Sequence, residues 1–486
     1  MKATWHRSLA RFALLAGSVV TTAHAQGFDT PPQPAAPRPF VIAAPVEQRL
    51  PNGLRVVLAE RRGVQLVTAQ LVVLSGAEVD PAGRAGLASM TAGLLTKGTR
   101  RRSATQLAQA AESLGGALES GAGWHQSEVA ITVTVPKLDA ALGLVSEVVR
   151  EPAFEQVEWE RLRMQSLDEL KVAYSQPGRL ASIASQRLIY GPGAYGHPAA
   201  GTPASLGKIG RADLVALHAA RYRPGNAVLI LAGDIDAASA LALARRHFGA
   251  WRASGAAPAS FEMATTAALP QATAVIDMPQ SGQAAVIVAA RLPPLGADRA
   301  TAAVMNAVLG GGFSSRLNQE IRIRRGLSYS AGSGLDARPG GGSLRAVVQT
   351  KNESAAEVVA LVQGELDRLA AVPVGEEELA ARKATLIGDF SRSVETTAGL
   401  GAAVKALIVA GLPPDDLRTR IEALAAVSAT DVQRYAATHL GAPGRRVVVA
   451  GEAARFVDAL KATSPSVTIV PATRLDLDLG TGLSTP

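Results

Sequence analysis

The feature that most constrains the fold of this chain is an internal repeat. The order of strand and helix segments predicted for residues 47–252 returns in residues 270–465. Both halves also end alike, because LILAG at residues 229–233 corresponds to VVVAG at residues 447–451. A repeat of this length predicts two similar α+β domains of about 200 residues, each a sheet backed by helices.

Hydrophobic periodicity and turn residues predict the elements of each half. Strands are expected at residues 55–59, 65–74, 128–135, 227–231, 274–278, 284–290, 343–348 and 447–450, the last of these being the final strand. Helices are expected at residues 83–96, 105–114, 138–149, 157–175, 181–190, 211–221, 237–248, 299–309, 315–325, 354–369 and 376–394.

The N-terminus has the pattern of a secretory signal. Lys2, Arg7 and Arg11 precede and enter an apolar run over residues 12–20, and Ala23-His24-Ala25 follows. Such a run is too short to span a bilayer, and cleavage is expected after Ala25. The mature protein is therefore predicted to be exported to the periplasm, with no membrane span.

Three further segments are predicted to lie outside the two domains. Residues 26–46 are rich in Pro and Ala and are interpreted as a flexible leader. Residues 253–269, rich in Ala, Ser, Gly and Pro, are interpreted as the linker between the domains, and residues 466–486 as a C-terminal tail.

Composition excludes two kinds of site. The chain contains no cysteine, which rules out thiolate metal ligands and a cysteine nucleophile. Its net charge of +8 includes no clustered Lys/Arg stripe, so no nucleic-acid partner is predicted.

A glycine-rich loop opens the most informative stretch, LGGGFSSRLNQEIRIRRGLSYS at residues 309–330. Gly310, Gly311 and Gly312 are expected to allow positive φ angles and a close approach to another segment. Ser314 and Ser315 are expected to cap a helix over residues 316–325, which ends at Gly326.

Two hydrogen-bond donors follow in the same stretch. Arg322 and Tyr329 are seven positions apart, and their side chains can point into one groove. There they would donate hydrogen bonds to a peptide carbonyl or a developing oxyanion. The alternative is a solvated helix arginine and a half-buried strand tyrosine.

Residues 47–461 resemble the pitrilysin/insulinase family of zinc peptidases, M16. Besides the glycine loop, the landmarks that carry the resemblance are Leu50-Pro51-Asn52-Gly53-Leu54, Asp80-Pro81, Gly86-Leu87-Ala88, Gly98-Thr99, His197-Pro198, Gly201-Thr202, Tyr222-Arg223-Pro224 with Asn226, and Ala232-Gly233-Asp234. The resemblance implies paired homologous lobes with mostly antiparallel sheets, which form half of a clam shell around a peptide. It also implies that Arg322 and Tyr329 contact substrate beside a zinc held by a different domain.

The zinc motif of the family is degenerate here. An active domain carries His-x-x-Glu-His between Gly86-Leu87-Ala88 and Gly98-Thr99, so that two imidazoles face one zinc and the glutamate accepts a proton from bound water. By the match, these positions hold Ser89, Ala92 and Gly93. The third ligand position, seven residues after Glu160, holds Leu167, with Asp168 and Glu169 next to it. The resemblance thus implies no zinc in this chain.

No other constellation replaces the motif. The histidines that remain after signal removal are His125, His197, His218, His247 and His439, and no two of them are spaced as a helical pair. They are interpreted as capping or surface residues. Glu78 and Asp80 bracket a turn and are interpreted as structural.

The resulting hypothesis is a subunit without catalytic residues of its own. It would form a heterodimer with a homologous zinc-bearing M16 chain and supply Arg322 and Tyr329 to a shared peptide substrate. An edge strand within residues 119–124 is a candidate for pairing with that peptide. The alternatives are a stand-alone envelope protein that binds peptides and a structural scaffold, while independent zinc peptidase activity is disfavoured because the imidazoles are missing.

Overall fold

The computed structural model describes residues 42–253, 272–294, 296–464, 466–478 and 483. The predicted signal peptide, residues 26–41 of the predicted leader and residues 254–269 of the predicted linker lie outside the described residues. The described strands are β1 Val46–Arg49, β2 Arg55–Glu60, β3 Leu66–Val73, β4 Glu119–Ala122, β5 Ser127–Thr134, β6 Ala227–Gly233, β7 Thr273–Asp277, β8 Ala284–Leu292, β9 Ala331–Asp336, β10 Gly342–Thr350, β11 Arg445–Gly451 and β12 Val467–Pro471.

The α-helices in these parts of the chain connect the strands and cover the sheets. Their bounds are α1 Leu87–Leu94, α2 Ala104–Ser113, α3 Leu138–Arg150, α4 Gln156–Ser175, α5 Pro177–Tyr190, α6 Pro203–Lys208, α7 Arg211–Arg221, α8 Ala237–Phe248, α9 Arg299–Leu309, α10 Ala355–Ala371, α11 Glu376–Ser393, α12 Thr397–Val409, α13 Arg420–Ala426, α14 Ala429–His439 and α15 Val457–Thr463. A π-helix, Asn318–Arg324, follows α9. In the described residues, none of the helices is both long and apolar enough to cross a lipid bilayer.

The strands form two six-stranded sheets, one from each half of the repeat. The first has the order β1-β2-β6-β3-β5-β4, in which only β2 and β6 pair in parallel. The second has the order β12-β7-β11-β8-β10-β9, with parallel pairs on both sides of β7. The predicted α+β fold with two mostly antiparallel sheets backed by helices is confirmed.

The sheet edges and the helices that follow residue 394, α12 to α15, were poorly predicted. The expectation that residues 447–450 form the final strand is wrong, because β12 follows and pairs in parallel with β7. Strand β9 was not predicted, and β4 was expected only as a candidate edge strand within residues 119–124, since their sequences, AGSGLD and ESGA, are poor in the residues that favour strands. Their pairing with β5 and β10 makes them strands.

The two halves exchange a helix. Helix α5 of the first half packs on β8 and β11 of the second sheet, where Leu180, Ala184 and Leu188 join one apolar core with Ile287 and Val448. Conversely, α12 of the second half packs on the first sheet. There Leu400, Val404 and Ile408 join a core with Val57, Val72, Val228 and Ile230. Each half therefore supplies a helix that covers one face of the other half's sheet.

Candidate functional site

Two glycines of the glycine-rich loop permit close packing against β9. The Ser333 N–H donates a hydrogen bond to the Gly310 carbonyl over 3.0 Å. A Cβ at Gly310 would lie 2.3 Å from the Ser333 nitrogen, and one at Gly311 would lie 2.8 Å from the Ala307 Cα. Gly312 has no atom within 4 Å of that position. The expected close approach is thus found at two glycines, while none of the three adopts the positive φ that glycine allows.

The segment after the loop is helical, but not as predicted. The expected α-helix over residues 315–325 is mostly a π-helix, and neither predicted cap holds its N-terminus. Instead, the Ser314 hydroxyl accepts a hydrogen bond from Arg382 over 2.6 Å. The buried Ser315 hydroxyl has no partner among the described residues. The predicted end is confirmed at Gly326, which has a φ of 64°.

The π-helix places Arg322 between two aromatic rings. Its guanidinium carbon lies 4.9 Å from the Phe313 ring centroid and 4.8 Å from the Tyr329 ring centroid. A cation held over ring faces at these distances is stabilised by about 0.5–1 kcal/mol at an exposed site. The structure therefore brings together Arg322 and Tyr329, and it adds Phe313, which the sequence reasoning did not single out.

This aromatic sandwich is open to solvent. Tyr329 is 87% exposed and Phe313 is 63% exposed, while Arg322 is half-buried between them. Tyr329 borders a cavity of ≈ 610 Å³ whose walls include Ser330 and Ser333 at the β9 edge of the second sheet. The Tyr329 phenol thus has a donor available to a ligand that lies along this edge, next to the Arg322 guanidinium.

The positions predicted to match the zinc motif lie on two helices that pack against each other. Ser89, Ala92 and Gly93 belong to α1, and a Cβ at Gly93 would lie 3.2 Å from Leu162 of α4. Ala92 is fully buried. Leu167 packs against the first core, so the α4 carboxylate that shares a cavity with Ser89 belongs to Glu169.

These residues do not fit a zinc ion. By the predicted match, a hydroxyl, a methyl group and a glycine stand where active relatives carry two imidazoles and a general base, and a lone carboxylate holds zinc poorly. Within the described ranges, no three His, Asp or Glu side chains lie close enough together to bind a metal ion.

The histidines within the described ranges make structural contacts. His218 is half-buried and its Nε2 lies 2.8 Å from the Val149 carbonyl, and the His247 Nε2 lies 2.7 Å from the Asp139 carboxylate. His197 packs against Trp124, and His439 against Tyr435. Burial was underestimated for His218 and His197, whose pKa values are lowered by desolvation.

A buried polar cluster around His125 was missed by the sequence reasoning. The His125 Nε2 is hydrogen-bonded to the Tyr195 hydroxyl, and its Nδ1 lies 4.0 Å from Glu78. Burial raises the pKa of Glu78 to about 7 and lowers that of His125 to about 4. Nearby, Arg338 lies 4.0 Å from the ring centroid of Trp124.

The cluster joins segments that are distant in sequence, so no local motif reveals it. Glu78 lies after β3, His125 lies between β4 and β5, and Arg338 comes from the β9–β10 connection. Glu78, His125 and Tyr195 also border a cavity of ≈ 1340 Å³.

Solved structures identify the class of protein that has this architecture. A structure titled as a peptidase M16 inactive domain from Pseudomonas fluorescens superposes with a TM-score of 0.78 and 27% identity, covering 84% of this chain and 98% of that one. A protease from Helicobacter pylori gives a TM-score of 0.77 at 18% identity, covering 85% and 100%. The fold is that of a two-lobed, peptidase-like α+β protein.

Sequence comparison gives the family. The profile described as "Insulinase (Peptidase family M16)" matches residues 55–190, and the one described as "Peptidase M16 inactive domain" matches residues 208–386. An uncharacterised zinc protease of Mycobacterium tuberculosis is 30% identical over 360 residues, which cover 74% of this chain and 82% of that protein. The chain belongs to peptidase family M16.

Proposed function

We propose that this chain is the exported, non-catalytic subunit of a heteromeric M16 zinc peptidase of the periplasm. One observation carries the proposal. By the match to the family motif, Ser89 and Gly93 stand at the zinc-binding histidine positions and Ala92 at the catalytic glutamate position, whereas Arg322 and Tyr329 lie side by side with Tyr329 exposed to solvent. A chain that has lost the metal site and kept the substrate-binding pair is the complement of a zinc-bearing homologue.

The division of labour follows from the chemistry of each site. The companion's zinc polarises the scissile carbonyl and activates a water molecule. In this chain, the Tyr329 hydroxyl and the Arg322 N–H groups donate hydrogen bonds to the substrate backbone and to the oxyanion that forms during hydrolysis. The β9 edge beside Tyr329 and the β4 edge of the first sheet each offer backbone groups to an extended peptide.

The test compares the mature chain alone with its mixture with a homologous M16 chain from the same organism that carries His-x-x-Glu-His. We expect the chain alone to be zinc-free by elemental analysis and inert towards an unstructured peptide, and the mixture to cleave it. Zinc-dependent cleavage by the chain alone would overturn the proposal.

Variants then assign the role of the pair. Tyr329→Phe and Arg322→Ala should each lower the kcat of the mixture by roughly 10²-fold, the effect of removing one oxyanion donor. Arg324→Ala is the matched control, since Arg324 is an exposed arginine of the same π-helix whose side chain pairs with Glu320 over 2.8 Å. Equal activity of all three variants would contradict the assigned role.

The same experiment distinguishes the proposed function from a second candidate, a protein that binds peptides without cleaving them. The exposed cavity beside Tyr329 also suits a protein that binds peptides without cleaving them. That function predicts peptide affinity for the chain alone and no activity in any mixture. A scaffold would instead leave both Arg322 and Tyr329 dispensable.

A further inference from the structure

Helix α4 carries an apolar stripe on its outer face. The buried residues on its inner face are Trp159, Ser166, Leu170 and Ala173. On the opposite side, Val157, Met164 and Val172 are 58%, 60% and 55% exposed. Among the described residues, only two large apolar side chains, Phe313 and Tyr329, are more exposed than these three. Because a surface helix normally presents polar side chains to solvent, the stripe indicates a contact with another molecule.

Four exposed charges flank the stripe in a self-complementary order. Acidic and basic side chains alternate along the helix, in the order Glu160, Arg161, Asp168 and Lys171. Read from the other end of the helix, the order of the signs is reversed. In the described chain, Asp168 and Lys171 have no ion pair, whereas Arg161 pairs with Glu158 over 2.7 Å. A second copy that lies antiparallel to α4 therefore meets each of the four charges with one of opposite sign.

One antiparallel register brings the apolar residues together. Placing Val157 opposite Val172 of the second copy makes a two-fold axis pass next to Met164, which lies close to the midpoint between them. The Met164 side chains of both copies then meet at the axis. In the same register, Arg161 lies opposite Asp168 of the second copy, because this pair has the same midpoint in the sequence. The valine contact and the charged contact each occur twice, as in any interface about a two-fold axis.

The remaining charges select this register over its neighbour. Glu160 and Lys171 have almost the same midpoint and share the other flank of the stripe, so they form a further pair of contacts. A shift that places Val157 opposite Ser175 would instead bring Arg161 opposite Lys171. Like charges in contact oppose association, so the charges of α4 specify a single register.

We propose that two copies of this chain associate through the outer faces of α4, antiparallel about a two-fold axis next to Met164. The three apolar residues of each copy form the centre of the contact, and ion pairs border it. The helix has 20 residues and is about 30 Å long. A contact made by one pair of helices is small, so we expect association at roughly 10–100 μM chain. The contact is independent of the function proposed above, because it includes neither Arg322 nor Tyr329.

The absence of cysteine from the chain allows the contact to be tested by disulfide cross-linking. Met164→Cys should give a covalent dimer on mild oxidation, because the two side chains meet at the axis. Val157→Cys and Val172→Cys should each remain monomeric alone and cross-link when mixed, as the antiparallel register requires. Val215→Cys is the matched control and should remain monomeric, since Val215 is an apolar residue of α7 that is 41% exposed. Self-cross-linking of Val157→Cys, or equal cross-linking of Met164→Cys and Val215→Cys, would overturn the proposal.

Sedimentation equilibrium of the mature chain then tests the charges. Arg161→Asp and Asp168→Arg each place like charges opposite each other twice, and each should weaken dimerisation at least about tenfold. An equimolar mixture of the two variants should recover it, because each variant then faces the opposite charge. If the unaltered chain stays monomeric up to about 1 mM, the stripe has another partner, such as the companion subunit, and the proposal is overturned. It is also overturned if either variant dimerises normally or if the mixture fails to dimerise.

Discussion

At the scale of single residues, the geometry around Arg322 defines what the proposed substrate-binding pair can do. The rings of Phe313 and Tyr329 cover the guanidinium at 4.9 and 4.8 Å. A planar cation held in this way keeps its orientation, and its N–H groups point outward in the plane of the fork. Phe313 is therefore a positioning residue for Arg322.

Phe313→Ala should lower the kcat/KM of the proposed heteromeric enzyme by about three- to fivefold, which corresponds to one exposed cation–π contact. Phe313→Tyr should restore activity because it keeps a ring at this position. Ile323→Ala is the control, because Ile323 is also an exposed apolar residue and lies in the π-helix that follows Phe313. If Ile323→Ala costs as much as Phe313→Ala, the loss is not specific to the ring.

The buried Glu78 gives a prediction about pH. Its folded-state pKa of about 7 lies above the ordinary value of 4.5, mainly because of desolvation. A raised pKa stabilises the fold below the unfolded-state value, and this contribution is lost as the pH rises through the folded-state value. Glu78→Gln removes this dependence.

Relative to the unaltered chain, the free energy of unfolding of Glu78→Gln should therefore increase by roughly 2 kcal/mol between pH 4.5 and 7. His125, whose pKa of about 4 gives the opposite trend, is present in both proteins and largely cancels in the difference. Urea titrations across this pH range measure the effect. A constant difference would show that Glu78 is ionised in the fold.

The residues at this scale were unequally predictable. Arg322 and Tyr329 were singled out because both lie in one short segment and their spacing resembles that of a family motif. Phe313 was overlooked because an aromatic residue next to glycines has no pattern that separates a surface contact from a core one. The Glu78–His125 contact depends on the pairing of distant strands, which local patterns do not specify.

At the scale of elements, the glycine loop and the π-helix form one unit held from both sides. The loop packs on β9 through Gly310, and Arg316 forms a two-pronged ion pair with Glu378 of α11. π-helical turns are rare and occur frequently at functional sites. Sequence periodicity predicted a helix here but not its type, because the choice between α and π geometry depends on these tertiary contacts.

The loop offers a matched pair of glycine substitutions. Gly310→Ala should lower the free energy of unfolding by roughly 1–3 kcal/mol, because its Cβ would meet the backbone of β9. Gly312→Ala should be nearly neutral, since its Cβ would enter open space and its φ is not positive. Thermal unfolding of both variants measures this, and equal destabilisation would contradict the close contact between loop and strand.

At the scale of the whole molecule, the exchange of α5 and α12 makes the two halves interdependent. The repeat was readable in the sequence, and so were most of the strands and helices between the sheet edges. The sequence did not indicate which sheet each exchanged helix covers, because an apolar helix face predicts burial but not the sheet against which the helix packs. Helix α12 was not predicted at all, and the two glycines in its first half, Gly399 and Gly401, weaken its helical pattern.

Leu188→Ala and Leu400→Ala test this interdependence, since each residue lies on an exchanged helix and is almost fully buried. Each variant should be destabilised by about 2–5 kcal/mol. Both should still unfold in one transition, whether tryptophan fluorescence or circular dichroism is followed. Two separable transitions would indicate lobes that fold independently.

The exchanged helices also determine what happens if the chain is cut between Ala253 and Ala272. Each fragment would contain a sheet that lacks the helix covering one of its faces, and a helix that lacks the sheet against which it packs. Such fragments are expected to be insoluble when expressed singly and to reassemble by complementation when expressed together. A gene split at this point would therefore yield an obligate pair of polypeptides rather than two autonomous proteins.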